Sequence, residues 1–297
     1  MHEKVTLKEF IKIVLQLSKV KITGAVAFTT ITGYVLARDA FDWGFISVTV
    51  GIFFMACGSS VINHLQEYRT DSAMERTRKR PLPSGRISRF NARLIAFFEI
   101  VAGMLVLNYL VNAEALLLGI IALIWYNAIY TPLKRVTPHA VIPGSVIGAI
   151  PPLVGWVASG ESLLDVRAWS MALFFFIWQV PHFYLLGLKY GPQYEKAGFP
   201  SLTRRYSNRS LRMLILLWVI STAFAALSMY YFDVVKSTIS IVLLCISSVW
   251  IIVLFLKPAL KESMLFRPFR YFMRINYYVL FVILVLNFDH IFIKFLF

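Results

Sequence analysis

The segment from Asn63 to Gly85 carries the densest chemistry in the chain. Asn63, Glu67 and Asp71 stand four residues apart, and a helix with 3.6 residues per turn places such a row on one face. All three side chains offer oxygen donors, which suit Mg²⁺. Five residues after Asp71 the cations begin, with Arg76, Arg78, Lys79 and Arg80. Carboxylates beside many fixed cations make sense if a polyanion and its metal sit between them. A diphosphate fits: metal bridges its oxygens, and guanidinium forks and ammonium groups neutralise the rest. The competing interpretation is a basic loop whose acids merely pair with its bases.

Two further groups stand out. Tyr130 and Lys134 follow an apolar run and read by themselves as an anchoring aromatic and an ordinary snorkelling cation at a membrane exit. Trp178-Gln179-Val180-Pro181-His182-Phe183 lies inside another apolar run. Polar groups there are costly unless they face a cavity or a partner. His182 suits a metal, a proton transfer, a porphyrin contact or a plain interhelical hydrogen bond. Phe174, Phe175, Phe176 and Trp178 either line a dry chamber or, as aromatic residues in a span more often do, simply pack or face lipid. Pro143-Gly144-Ser145, Gly148-Ala149 and Pro151-Pro152 predict close helix packing with kinks, or a widened pocket.

Composition says what must position these groups. Of 297 residues, 59% are apolar and 15% charged, against roughly 45–50% and 25% in soluble domains. This excludes a cytosolic enzyme and a disordered chain. A membrane-spanning helix needs about 20 apolar residues. Nine such runs are legible: Ile22 to Leu36, Phe45 to Leu65, Leu94 to Val111, Leu116 to Tyr130, Val141 to Ala158, Ala168 to Leu188, Met213 to Tyr231, Ile239 to Leu256, and Ile275 to Phe292. The first is expected to begin earlier, near Phe10. None alternates with the period of two that a membrane barrel requires. The fold class is therefore an all-α polytopic membrane protein, a single domain over residues 1–297.

Charge sets its orientation. If the N-terminus is cytoplasmic, all but four of the 30 basic residues fall inside, the exceptions being Arg38, Arg167, Lys236 and Lys294. The net charge of +15 is then a matter of topology and gives no reason to expect nucleic acid. Two inside loops exceed what connection requires, Glu67 to Arg93 and Lys189 to Arg212. Cys57 and Cys245 read as packing residues, and no cleavable signal peptide is expected.

The pattern Asn63-x3-Glu67-x3-Asp71, then Arg76-Thr77 and Arg80-Pro81-Leu82-Pro83-Ser84-Gly85, resembles the first signature of the UbiA-type intramembrane prenyltransferases. The resemblance implies a nine-helix bundle with Mg²⁺ and a prenyl diphosphate at its cytoplasmic end. It implies that Asn63, Glu67 and Asp71 hold the metal and, with Lys134, carry catalysis. Arg76, Lys79, Arg80, Tyr130, Lys134 and Tyr194 are then expected on the diphosphate. Glu67 departs from the usual Asp and is one methylene longer.

The run from Trp178 to Phe183, followed by Tyr194-Glu-Lys-Ala-Gly198-Phe-Pro200, resembles the heme-prenylating branch of that family. Similarity extends from about Lys21 to Arg205, and beyond it only hydropathy agrees. Gln193 stands where this branch often has Asp; as a neutral amide it is a secondary metal candidate. The branch implies farnesyl transfer from farnesyl diphosphate to a vinyl group of heme b, with water addition, giving heme O. His182, Gln179 and Trp178 are then expected near the heme or the prenyl chain. It also implies a bacterial inner membrane, contact with membrane lipid and transient contact with heme-copper oxidase assembly proteins. The rivals are a family member that prenylates a quinone precursor, and a transporter using Gln179 and His182.

Overall fold

The computed structural model describes residues 6–39, 42–261 and 266–292. Lys4 and Lys294 of the charge count lie outside the described residues. Among the described residues there is no strand, and nine helices are long and apolar enough to cross a membrane. A short helix, α1 (Leu7–Leu17), precedes them. The nine are α2 (Val20–Arg38), α3 (Gly44–Ala73), α4 (Arg89–Leu110), α5 (Ala113–Leu133), α6 (Pro138–Ala158), α7 (Val166–Lys196), α8 (Asn208–Tyr231), α9 (Thr238–Leu260) and α10 (Pro268–Phe292).

Most starts are written in the sequence. Ser88, Asn112, Asp165, Ser207 and Ser237 each accept a hydrogen bond from a backbone N–H in the first turn of α4, α5, α7, α8 and α9. These side chains satisfy donors that a helix end otherwise leaves orphaned.

The expected early start of the first span does not hold. Helix α1 ends at Leu17, and Lys19 adopts a left-handed conformation, φ 46° and ψ 49°, before α2 begins. The break is held by neighbours: Ser60 Oγ donates to Leu17 O at 2.9 Å, Thr23 Oγ1 to Ser18 O at 3.3 Å, and Ser18 Oγ to Glu99 Oε1 at 2.6 Å. Those bonds offset the roughly 1–2 kcal/mol that a left-handed residue other than glycine costs. The two long loops are also shorter than expected, because α3 runs on to Ala73 and α7 to Lys196.

Helix α2 packs on α6 at backbone contact. A Cβ on Gly33 would run into Pro152 O, and one on Gly155 into Thr30 O. Small residues at such crossings let membrane helices approach closely. Gly155→Ala is expected to cost about 1–3 kcal/mol through overpacking, more than it gains in helix propensity. Thermal unfolding in detergent should show a lowered midpoint. Gly24→Ala, with open space around its Cβ, should show none.

Ion pairs gather at the far end of the bundle. Arg38 meets Asp42 at 3.2 Å, Arg167 meets Asp165, and Lys236 meets Asp39 at 2.6 Å. Asp39 also takes His290 Nδ1 at 2.5 Å, tying α2 to α10. Burial pushes the Asp39 carboxyl up, but His290 and Lys236 together hold it well below the usual carboxylate range. The two cysteines are free, Cys57 inside the bundle and Cys245 on its exterior.

Candidate active site

Helix α3 delivers the oxygen row as its spacing requires. Asn63, Glu67 and Asp71 are 2%, 8% and 1% exposed and line one large cavity of about 810 Å³. A cation from a different segment meets each of them. Lys19 Nζ, from the α1–α2 break, donates to Asn63 Oδ1 at 2.9 Å. Lys134 Nζ, after α5, lies 2.7 Å from Glu67 Oε1. Arg80 Nη1, from the loop after α3, donates to Asp71 Oδ2 at 2.7 Å.

Acids and bases do pair here, as the bland interpretation supposed, but not on a solvated surface. The cavity mouth carries five cations, Lys19, Lys21, Arg76, Arg80 and Lys134, against the two carboxylates. That excess of positive charge is suited to a polyanion. The donor chemistry of the row also suits a divalent cation: two carboxylates and an amide carbonyl on one helix face line the same cavity, with no softer donor among them.

The Arg76–Gly85 loop is shaped by its own residues. Thr77 is fully buried and its hydroxyl donates to Asp71 O at 2.8 Å, capping α3 where Asp71 points inward. Leu82 anchors in a small core with Ile13, Leu17 and Val61. Gly85 takes φ +73°, which closes the turn. Arg76 stacks its guanidinium over Tyr190 at 4.5 Å. Lys79 is exposed and lies off the cavity wall.

Helix α5 widens into a π turn over Trp125–Tyr130 before Pro132, which cannot donate to the ladder. The turn frees Asn127 O for Gln66 Nε2 at 2.9 Å, and Asn127 Nδ2 reaches Ser59 Oγ at 2.6 Å. Asn63 Nδ2 donates to Thr131 Oγ1 at 3.1 Å. These bonds fix α5 against α3, so that Lys134 stands over Glu67 and 5.0 Å from the Tyr130 ring centre. Gly144 makes room for that ring: its Cβ would sit 2.5 Å from Tyr130 Cδ2. Gly148 faces Gln179 in the same way, so the small residues of α6 serve both close packing and the pocket.

Helix α7 brings Trp178, Gln179, His182 and Phe183 to the chamber, and its last turns bring Tyr194 to the mouth. Gln193 sits outside the lining and accepts from Arg76 N at 3.3 Å. Phe174 and Phe175 are fully buried in the main core and Phe176 packs against it, so of that aromatic run only Trp178 lines the cavity.

Lys19 is the participant the sequence reading passed over, since a lysine beside a membrane span looks like any other topogenic charge. Burial first, then Arg80 and Lys134, bring its amine down to about 7. Lys19→Met leaves the backbone bonds of the α1–α2 break intact and removes one charge-assisted bond. A loss of about 10–100-fold in affinity for a diphosphate anion is expected from the roughly 1.5–3 kcal/mol such bonds contribute. Inhibition by inorganic diphosphate would measure it. His64, also on α3, is buried with Nδ1 3.9 Å from Asp71 Oδ2 and without a hydrogen-bond partner among the described residues.

A nine-span helical bundle that buries a carboxylate row at the mouth of an apolar chamber defines a membrane-embedded enzyme class. A model described as the UbiA prenyltransferase family matches residues 26–276, and the chain belongs to that family. A protein of Oleidesulfovibrio alaskensis named protoheme IX farnesyltransferase is 31% identical over 279 residues, covering 93% of this chain and 95% of that one. The fold is also that of a solved digeranylgeranylglyceryl phosphate synthase, with a TM-score of 0.75 at 18% identity over 95% of this chain and 98% of the other. A UbiA homologue from Archaeoglobus fulgidus, solved with GPP and Mg²⁺, shares the fold with a TM-score of 0.65 at 14% identity, over 94% of this chain and 99% of the other.

Proposed function

We propose that this prenyltransferase moves a farnesyl group from farnesyl diphosphate to a vinyl carbon of heme b, with addition of water, giving heme O. The observation that carries the reading is the single cavity. It joins a cationic, carboxylate-bearing mouth to an apolar chamber containing Trp178, Gln179 and His182. A prenyl diphosphate has the same division into charged head and apolar tail. The curated relative named protoheme IX farnesyltransferase supports heme as the acceptor.

Mg²⁺, held by Asn63, Glu67 and Asp71, would supply charge stabilisation at the diphosphate. Lys19, Arg76, Arg80 and Lys134 neutralise the negative charge that grows as the allylic C1–O bond breaks. The rings of Tyr126, Tyr130 and Phe183 line the cavity beside these cations, where their faces favour the allylic cation. The vinyl carbon attacks C1, water captures the resulting porphyrin-side cation, and a proton leaves. Apolar walls keep water from the allylic carbon before attack. The basic-residue asymmetry supports a cytoplasmic position for this end of the bundle; a bacterial inner membrane and transient contact with heme-copper oxidase assembly proteins are part of the same proposal and rest on the family resemblance.

The test is mass analysis of heme after incubating the purified protein with heme b, farnesyl diphosphate and Mg²⁺. The expected product is a hydroxyethylfarnesyl heme that disappears when EDTA is present. Diphosphate release unaffected by EDTA would defeat the metal assignment. Prenylation of 4-hydroxybenzoate instead of heme b would place the chain among the quinone-precursor enzymes.

A further inference from the structure

His182 follows Pro181 in the middle of α7 and lines the chamber. Its Nδ1 lies 2.8 Å from Asn276 Oδ1 on α10. An amide oxygen only accepts, so the imidazole proton sits on Nδ1 and the lone pair is at Nε2. Nε2 has no partner among the described residues. Aromatic neighbours hold the ring: Phe272 at 4.6 Å, one turn before Asn276, Trp178 at 5.3 Å, one turn before His182, and Phe183 at 5.3 Å and perpendicular.

The other described histidines show what a structural one looks like here. His139 uses both nitrogens, on Tyr184 Oη at 3.1 Å and Tyr206 Oη at 2.9 Å. His290 uses both, on Asp39 and on Val234 O at 2.7 Å. His64 is buried away from the cavity. His182 alone among the described histidines has one nitrogen fixed by an oxygen acceptor and the other left for an occupant of the chamber.

A neutral imidazole oriented through Nδ1–H by an oxygen acceptor, with Nε2 free, is how proteins present histidine to a metal. In an apolar chamber the metal it can meet is one carried by an apolar ligand. We propose that His182 Nε2 binds the iron of the heme substrate as an axial ligand, with Asn276 setting the ring's direction. This inference rests on the heme reading above. The bond is dative: Nε2 donates its pair to iron, a weakly held water or nothing leaves, and no electron is transferred. Its role is positioning. It holds the porphyrin by its centre while a vinyl group at the edge reacts, and it makes the metal itself part of substrate recognition.

The experiment adds ferric heme b to the full-length protein in nanodiscs, follows absorption and electron paramagnetic resonance, and assays farnesyl transfer on the same preparation. Wild type should give the spectrum of histidine-ligated heme. His182→Ala should lose it, and an unchanged thermal unfolding midpoint shows that the variant is folded. His182→Met should give a thioether-ligated spectrum. Asn276→Ala should weaken heme binding by about 10–100-fold, the usual effect of removing a ligand's orienting partner. Inhibition by inorganic diphosphate, which reads the mouth and not the chamber, should stay unchanged in all three, and metal-free protoporphyrin should bind wild type more weakly than heme b. If wild type makes farnesylated heme and the spectrum is the same in His182→Ala and His182→Met, the ligation is wrong and the heme reading stands. If wild type neither perturbs heme nor farnesylates it, the heme reading falls and the ligation with it.

Discussion

Asp71→Asn abolishes prenyl transfer in a protein that still folds. The substitution keeps the shape and removes the charge of a side chain that is 1% exposed and faces the cavity mouth. A neutral amide cannot supply the anionic oxygen that a hard cation prefers. Arg80, 2.7 Å away, loses its ionic partner as well. A fall of at least about a thousandfold in kcat/KM is expected, equivalent to about 4 kcal/mol of transition-state stabilisation. Folding is spared because the cap of α3 uses the Asp71 carbonyl, through Thr77, and not its carboxylate. Diphosphate release together with thermal unfolding checks both halves; wild-type turnover by the variant would remove the metal-site argument.

Lys134→Ala is expected to raise KM for farnesyl diphosphate by about 10–100-fold, since a charge-assisted bond to phosphate contributes roughly 1.5–3 kcal/mol. Heme affinity should be unaffected, because Lys134 stands at the mouth with Glu67 and Tyr130 while heme is assigned to the chamber near His182. Titrating each substrate separately against the variant tests this. Equal affinity for farnesyl diphosphate in variant and wild type would contradict the placement.

The spans were legible because hydrocarbon permits little else than helices for such runs. Asn63, Glu67 and Asp71 were legible because helical spacing is local: once α3 is a helix, the row follows. What the sequence concealed depends on contacts between distant segments. The role of Lys19 needs a backbone break stabilised by Ser60 and Glu99, more than 40 residues away. The cation paired with each oxygen comes from a separate connection, so composition showed an excess of charge but not its pairing. The two interpretations of His182 proved compatible, since one nitrogen makes the interhelical bond to Asn276 and the other remains available. For Phe174 and Phe175 the packing alternative holds; a membrane helix can be apolar on every side, and nothing local tells core from chamber.

The π turn at Trp125–Tyr130 has a consequence for how this enzyme tolerates change. Dropping one residue there would let an ordinary helix form, and the residues beyond it would keep their phase, because the wide turn holds one residue more than an α turn does. Dropping one from the regular part of α5 would instead rotate everything downstream by about 100° and retract it by about 1.5 Å, carrying Lys134 out of line with Glu67. The π turn is thus the place in this helix where a change in residue count is absorbed, and a deletion elsewhere along it is the more severe lesion.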